Sequence, residues 1–294
     1  MPRHYPAVMD LKATTYDVDD GVAVITLSRP HRANAWTGRM HTEYRWLLEK
    51  AENDIDVGAI VVTGEGNTFC VGGDSKALDG HAERGVYDAG TPDDLANPGY
   101  GVSDDFDADF AFQMALDTPI VAAMNGSAAG VGLAVVLFAD IRFGAESAKI
   151  STAHGKLGLA AEYGMSWMLP RLVGVTRAAD LLLSSRKAVV AELADWGIFN
   201  EVLPADEVLP ASMAYARMLV EEVSPASIAA TKRQMWLDQH RGAGTAVRDS
   251  NRRLNEMMSS AEYREGVSAL IEGRSPDFRR ARVGPGGTRS PESG

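Results

Sequence analysis

The chain has 294 residues and carries 29 Lys and Arg against 40 Asp and Glu, a net charge of −11; this argues against nucleic acid as a main partner, because phosphate binding needs a basic face. A hydrophobic content of 45% with 23% charged residues is that of a water-soluble globular chain able to bury a large core. The single cysteine, Cys70, excludes an internal disulfide and a cysteine-built metal cluster and fits a reducing compartment, and without a basic-plus-apolar leader or an apolar run long enough for a bilayer the expectation is a cytoplasmic protein with no membrane partner and no metal.

Residues 1–10 show no pattern. Residues 16–18 and 22–27 flank Asp19-Asp20-Gly21 and predict a hairpin. Thr37 is placed to cap a helix whose Met40, Tyr44, Leu47, Leu48 and Ala51 form one apolar stripe. An apolar run over 58–63 predicts a buried strand, and residues 119–124 a second. A helix near 129–137 and a strand near 139–143 continue the β/α alternation. Between them, residues 77–110 are strongly acidic, with scattered Gly, Pro and Tyr and Arg84 as the one arginine; this predicts a solvated loop. From Thr176 the pattern is mostly helical, with helices expected over 206–222, 226–239, 245–258 and 260–272, the second opened by the cap and first-turn pair Ser224-Pro225. The Gly-, Pro-, Ser- and Arg-rich residues 283–294 read as a disordered tail. Three regions follow: an α/β core over 11–200, a helical region over 201–282 and the tail.

Two glycine turns carry the chemistry. Phe69-Cys70-Val71-Gly72-Gly73-Asp74 follows the strand at 58–63, and Asn125-Gly126-Ser127-Ala128-Ala129-Gly130-Val131-Gly132 follows that at 119–124 and leads into an apolar helix. Brought together, two such turns aim backbone N–H groups at one point, which is how a fold builds an oxyanion hole. With Ser28-Arg29-Pro30 through Asn34-Ala35, Ala139-Asp140-Ile141-Arg142, Pro170-Arg171-Leu172-Val173-Gly174, Asp195-Trp196-Gly197-Ile198 and Arg264-Glu265-Gly266 through Phe278, the chain resembles the crotonase (enoyl-CoA hydratase/isomerase) superfamily over residues 13–280.

The resemblance implies an α/β fold with a ββα spiral core and a helical C-terminal region that drives trimers or stacked hexamers. It implies an acyl-CoA substrate, with coenzyme A part of that substrate and no tightly bound cofactor. By position, the N–H groups of Gly73 and Val131 would form the oxyanion hole. Arg29, Arg32, Asn34, Val71, Gly73 and Lys76 would contact coenzyme A, and Asp74 would fix its turn. The 77–110 segment would be a lid over the acyl pocket, with Tyr87, Tyr100 or Phe106 as candidate ligand contacts. Cys70 reads as a small buried hydrophobe and His81 as a solvated side chain.

The departures are informative. The two glutamate positions of the hydratases fall on Ala134 and His154, so the paired acid and base are absent. Glu162, in Gly158-Leu159-Ala160-Ala161-Glu162-Tyr163-Gly164, resembles the acidic position of dienoyl-CoA isomerases, with Glu in place of Asp; its structural alternative is a carboxylate near a helix N-terminus. His154 is placed to tune it or to line the pocket. Double-bond isomerisation is favoured, since one base that removes and returns a proton suffices. The alternatives are thioester or C–C bond hydrolysis through His154 and Glu162, and a non-catalytic acyl-CoA binder. Dinucleotide binding through Gly130-Val131-Gly132 fails because the third glycine position holds Val135 and Asp140 comes too early for a ribose contact.

Overall fold

The computed structural model describes residues 8–85 and 95–278, with the side chains of 81 and 84 left aside. The expectations for Tyr87, the His81 side chain and the tail 283–294 lie outside the described residues. Strands β1 (Thr14–Asp19) and β2 (Val22–Leu27) form the hairpin in full register. Its turn residues Asp20 and Gly21 both have positive φ (48° and 82°), as the tight hairpin turn matched to strand twist requires. Helix α1 (Gly38–Asn53) starts where Thr37 Oγ1 accepts the Met40 N–H at 3.1 Å and buries the predicted stripe. It also buries Glu43, whose carboxylate accepts the N–H groups of Lys12 (2.8 Å) and Ala13 (2.9 Å) and the Thr14 hydroxyl (2.7 Å). A charged residue inside an apolar stripe is thus spent on pinning the chain that enters β1.

Strand β3 (Ala59–Gly64) is buried at every position, as a central parallel strand should be, and runs into the short β4 (Thr68–Cys70). Next comes helix α2 (Ser75–Arg84), where a loop was expected. Asp74 explains it: its carboxylate accepts the Lys76 N–H at 3.0 Å and its carbonyl the Leu78 N–H at 3.0 Å, so a residue read as a turn fixer is a helix cap. Strands β5 (Ile120–Met124) and β6 (Ser127–Ala129) lead into helix α3 (Val131–Leu137), every residue of which is buried. Strands β7 (Ile141–Ala145) and β8 (Lys149–Ser151) are followed by helix α4 (Met165–Ser184), broken at Gly174 (φ 76°, ψ 161°). Strands β9 (Ala188–Val189) and β10 (Glu201–Leu203) precede the C-terminal helices α5 (Ala205–Glu222), α6 (Pro225–Leu237), α7 (Ala243–Met257) and α8 (Ala261–Glu272).

Two sheets result, ordered β1-β2-β3-β5-β7-β10 and β4-β6-β8-β9. The large one is parallel apart from its opening hairpin, and its last strand comes from beyond residue 200. Each β3-to-β4, β5-to-β6 and β7-to-β8 passage steps from the large sheet to the small one, so the chain winds as a spiral between the two. Helix α5 lies across β3, β5 and β7, and α6 is tied on by Lys232, whose ammonium lies 2.7 Å from Asp140 and 3.2 Å from the Thr118 carbonyl. Among the described residues no helix is long and apolar enough to cross a membrane.

Candidate active site

The small sheet brings the two glycine turns together. β4 and β6 pair in parallel, Cys70 opposite Ala128, so the turns that leave them lie side by side. Gly72 has φ +102°, and a Cβ on it would stand 3.1 Å from the Ala129 carbonyl oxygen; one on Gly132 would stand 2.3 Å from the Cys70 carbonyl oxygen. Only glycine permits this approach. Trp36 then fixes the first turn, its N–H donating to the Gly72 carbonyl (2.8 Å) and its carbonyl accepting from Asp74 (2.9 Å). Strand alternation therefore turns the N–H of Gly73 to the side away from Trp36, and Gly73 is exposed. Val131 is the first residue of α3, where an N–H has no intrahelical acceptor. Gly130 is held separately, by donation to the Ser151 carbonyl at 3.0 Å. Behind both turns lies Cys70, fully buried, its thiol pushed up to about 12 by that burial; as expected of a small hydrophobe, it is no nucleophile.

Glu162 and His154 stand on the segment between β8 and α4. Glu162 is half-buried, and burial raises its carboxyl above the usual range while the nearby His154 works against the rise. His154 is buried at 6% exposure, and among the described residues its Nδ1 is without a hydrogen-bond partner. Ala134 is fully buried inside α3. Ala153 before His154 and Tyr163 after Glu162 both have positive φ (63° and 52°), a conformation that costs a non-glycine residue about 1–2 kcal/mol. The Tyr163 ring packs edge-on against Phe110 (5.3 Å), which packs against Trp36 (5.8 Å). A chain of rings thus runs from the Gly73 turn to Glu162.

Within the described stretch 95–110, the aromatic that joins this chain is Phe110. Tyr100 packs against Phe112 and the Arg45 guanidinium, and Phe106 is 1% exposed. Arg45 ties residues 96 and 109 together, donating to the Ala96 carbonyl (2.6 Å) and pairing with Asp109 (2.6 Å), which His41 also faces at 3.4 Å. The hydrogen bond from His41, with the charge of Arg45, outweighs burial and holds the Asp109 carboxyl below its usual range. A histidine and an arginine on α1, four residues apart and turned to one face, were the available sequence signal.

The cations cluster at the other end of the turn. A cavity of about 410 Å³ is lined by Arg29, His31, Arg32, Thr37, Asp74, Lys76 and Ala77. Arg29 grips Asp74 with both terminal nitrogens at 3.1 Å and donates to the Ala35 carbonyl at 2.5 Å. Arg32 is 3.1 Å from the Ser75 hydroxyl and 3.5 Å from Asp74. Burial works to raise the Asp74 carboxyl, but the Lys76 N–H and the Arg29 and Arg32 guanidiniums prevail and hold it low. One carboxylate among three cations leaves the cavity positive. Asn34 is fully buried and spends its side chain on the Arg29 N–H (2.8 Å) and the carbonyls of Glu65 (3.0 Å) and Thr68 (2.7 Å), so it shapes the loop that carries Arg29. Val71 is 43% exposed beside Gly72. Among the described residues no group of three or more His, Cys, Asp or Glu side chains is placed to hold a metal.

An α/β spiral with paired glycine turns is an enzyme architecture, and comparison with known proteins gives the same class. The crystal structure of a probable enoyl-CoA hydratase/isomerase from Mycobacterium abscessus superposes with a TM-score of 0.77 at 31% identity, over 90% of this chain and 98% of that one. The enoyl-CoA hydratase/isomerase family model matches residues 17–281, and the chain belongs to that family of enzymes, within the crotonase superfamily. It is 31% identical over 262 residues to the 1,2-epoxyphenylacetyl-CoA isomerase of Escherichia coli K12, over 89% of this chain and 96% of that protein. To a probable enoyl-CoA hydratase of Rhodobacter capsulatus it is 32% identical over 270 residues, over 92% and 99% respectively.

Proposed function

We propose that the chain isomerises a double bond in an acyl-CoA thioester. The thioester carbonyl oxygen accepts the N–H groups of Gly73 and Val131, which stabilise the negative charge of the enolate. Each such donor is worth about 3–4 kcal/mol in the transition state. Glu162 removes a proton from the acyl chain and returns it to a different carbon. The cavity at Arg29, Arg32 and Lys76 takes phosphate groups of coenzyme A, with the 33–35 and 71–73 backbone framing its adenine end.

The observation that carries this reading is the pairing of Ala134 with Glu162. Hydration across a double bond calls for an acid and a base held on one water. Here one of the two positions is an alanine sealed inside α3, whereas a half-buried carboxylate of raised pKa suits a single base that takes up and gives back a proton. The enzyme is proposed to act in the cytoplasm as a trimer or hexamer.

A second reading is favoured by one observation. Among the described residues the buried Nδ1 of His154 is without a hydrogen-bond partner; engaged with a water activated by Glu162, it would make the reaction a thioester or C–C bond hydrolysis. Mass spectrometry of enoyl-, dienoyl- and aromatic acyl-CoA thioesters turned over in deuterated water separates the two. Deuterium entering a thioester without addition of water supports isomerisation. A free carboxylate product supports hydrolysis, and a water adduct refutes the single-base account. Binding without any conversion across the panel would make the chain an acyl-CoA binder.

A further inference from the structure

We infer that Ser185 is a positioning residue for this site, its hydroxyl fixing the backbone that holds His154 beside Glu162. The inference rests on the reading of Glu162 as the base. Ser185 caps the C-terminal end of α4 and is fully buried, in the left-handed conformation (φ 44°, ψ 33°). Glycine would occupy that conformation without strain; the chain instead has a side chain there, and the hydroxyl is fully used. It accepts the Gly155 N–H at 3.0 Å and lies 3.1 Å from Thr152 Oγ1. Thr152 has one hydroxyl proton, and it goes to the Leu181 carbonyl at 3.1 Å. The proton between the two hydroxyls is therefore that of Ser185, and the network has a single direction.

The same short stretch is held from both sides of His154. Ser151 Oγ donates to the Ser185 carbonyl at 3.0 Å and accepts the Ala153 N–H at 3.2 Å. A Cβ on Gly155 would lie 2.8 Å from Ser185 Oγ, so the contact admits nothing larger than glycine. Residues 151, 152, 153 and 155 are all tied directly or indirectly to Ser185, and the strained φ of Ala153 is maintained by these ties. A functional histidine is commonly oriented by a hydrogen bond at its second nitrogen. The buried Nδ1 of His154 has none among the described residues, which leaves its backbone to set the ring.

The helix explains how one residue reaches so far. A straight helix of 20 residues would part its ends by about 30 Å. The break at Gly174 interrupts α4 partway along its length. Its first residue anchors Glu162, whose carbonyl accepts the Met165 N–H at 3.1 Å, while its C-terminal cap Ser185 reaches the His154 side of the same segment.

The test compares Ser185→Ala and Ser185→Gly with His154→Gln, singly and combined, on the acyl-CoA that takes up deuterium fastest. His154 opposes the rise that burial gives the Glu162 carboxyl. Loosening it should move the acid limb of the kcat/KM profile to higher pH and lower kcat about 10- to 100-fold, with KM nearly unchanged. The Ser185→Gly, His154→Gln double variant should be no worse than either single one. Losses that multiply, an acid limb that stays in place, or wild-type kcat in Ser185→Gly would overturn the inference. If both Ser185 variants fail to fold, Thr152→Val removes the acceptor of the Ser185 proton and must give the same pattern. Glu162→Gln is run alongside: full activity there removes the base itself, a failure distinct from that of Ser185.

Discussion

Glu162→Gln is the sharpest test of the site. Gln has nearly the same volume as Glu, and the side chain is only half-buried, so packing is kept while the base is lost. General base catalysis contributes about 10²–10⁴-fold, equivalent to about 2.7–5.5 kcal/mol on the barrier. The assay is deuterium uptake into the acyl chain at saturating thioester. The substitution has a second signature in stability. Burial, opposed by His154, raises the Glu162 carboxyl in the folded chain, so across that range the folded state binds more protons than the unfolded one. Stability therefore falls as pH rises through the folded pKa, and the penalty is present in full above it. The Gln variant escapes it and should be at least as stable as the parent at pH 7, the difference vanishing in acid below the unfolded value. For the same reason the acid limb of the parent's activity should lie above the ordinary carboxylate range. Glu162→Asp, shorter by one methylene, should lose about 10²-fold through misplacement. Undiminished exchange by Glu162→Gln on every accepted thioester would refute the proton shuttle.

Three further expectations follow from geometry. Gly132→Ala puts a methyl group 2.3 Å from the Cys70 carbonyl oxygen; overpacking there should cost about 1–3 kcal/mol in denaturant unfolding and lower kcat by displacing Val131. Arg32→Ala with Lys76→Ala should weaken binding of coenzyme A itself, as measured by calorimetry, and flatten its salt dependence, while leaving thermal stability little changed because both side chains are largely exposed. Lys232→Met leaves Asp140 buried and unpaired, which should destabilise the fold by about 3–5 kcal/mol; an unchanged unfolding midpoint would show that α6 is held by its apolar contacts alone.

Much of this protein is written locally. The hairpin turn at Asp20-Gly21, the Thr37 cap with its apolar stripe, the buried strands at β3 and β5 and the Ser224-Pro225 start of α6 each depend on a few adjacent residues. Their propensities and periods are visible without the rest of the chain. The glycines beside Val131 and Gly73 were also legible, because a turn that admits no Cβ leaves glycine as its only solution. The small sheet was not legible. β4, β6 and β8 have three residues each, too few to show alternation, and they exist because parallel partners distant in sequence supply their hydrogen bonds. Nor was α2, whose cap looked like a turn residue and whose acidic surroundings looked like a loop. The sequence by itself determined the family and the two glycine turns. Tertiary structure alone decided that Phe110 meets Tyr163 and that Ser185 ties down Gly155, because burial and hydrogen bonding between distant segments are properties of the packed chain and leave no periodic mark on any one stretch.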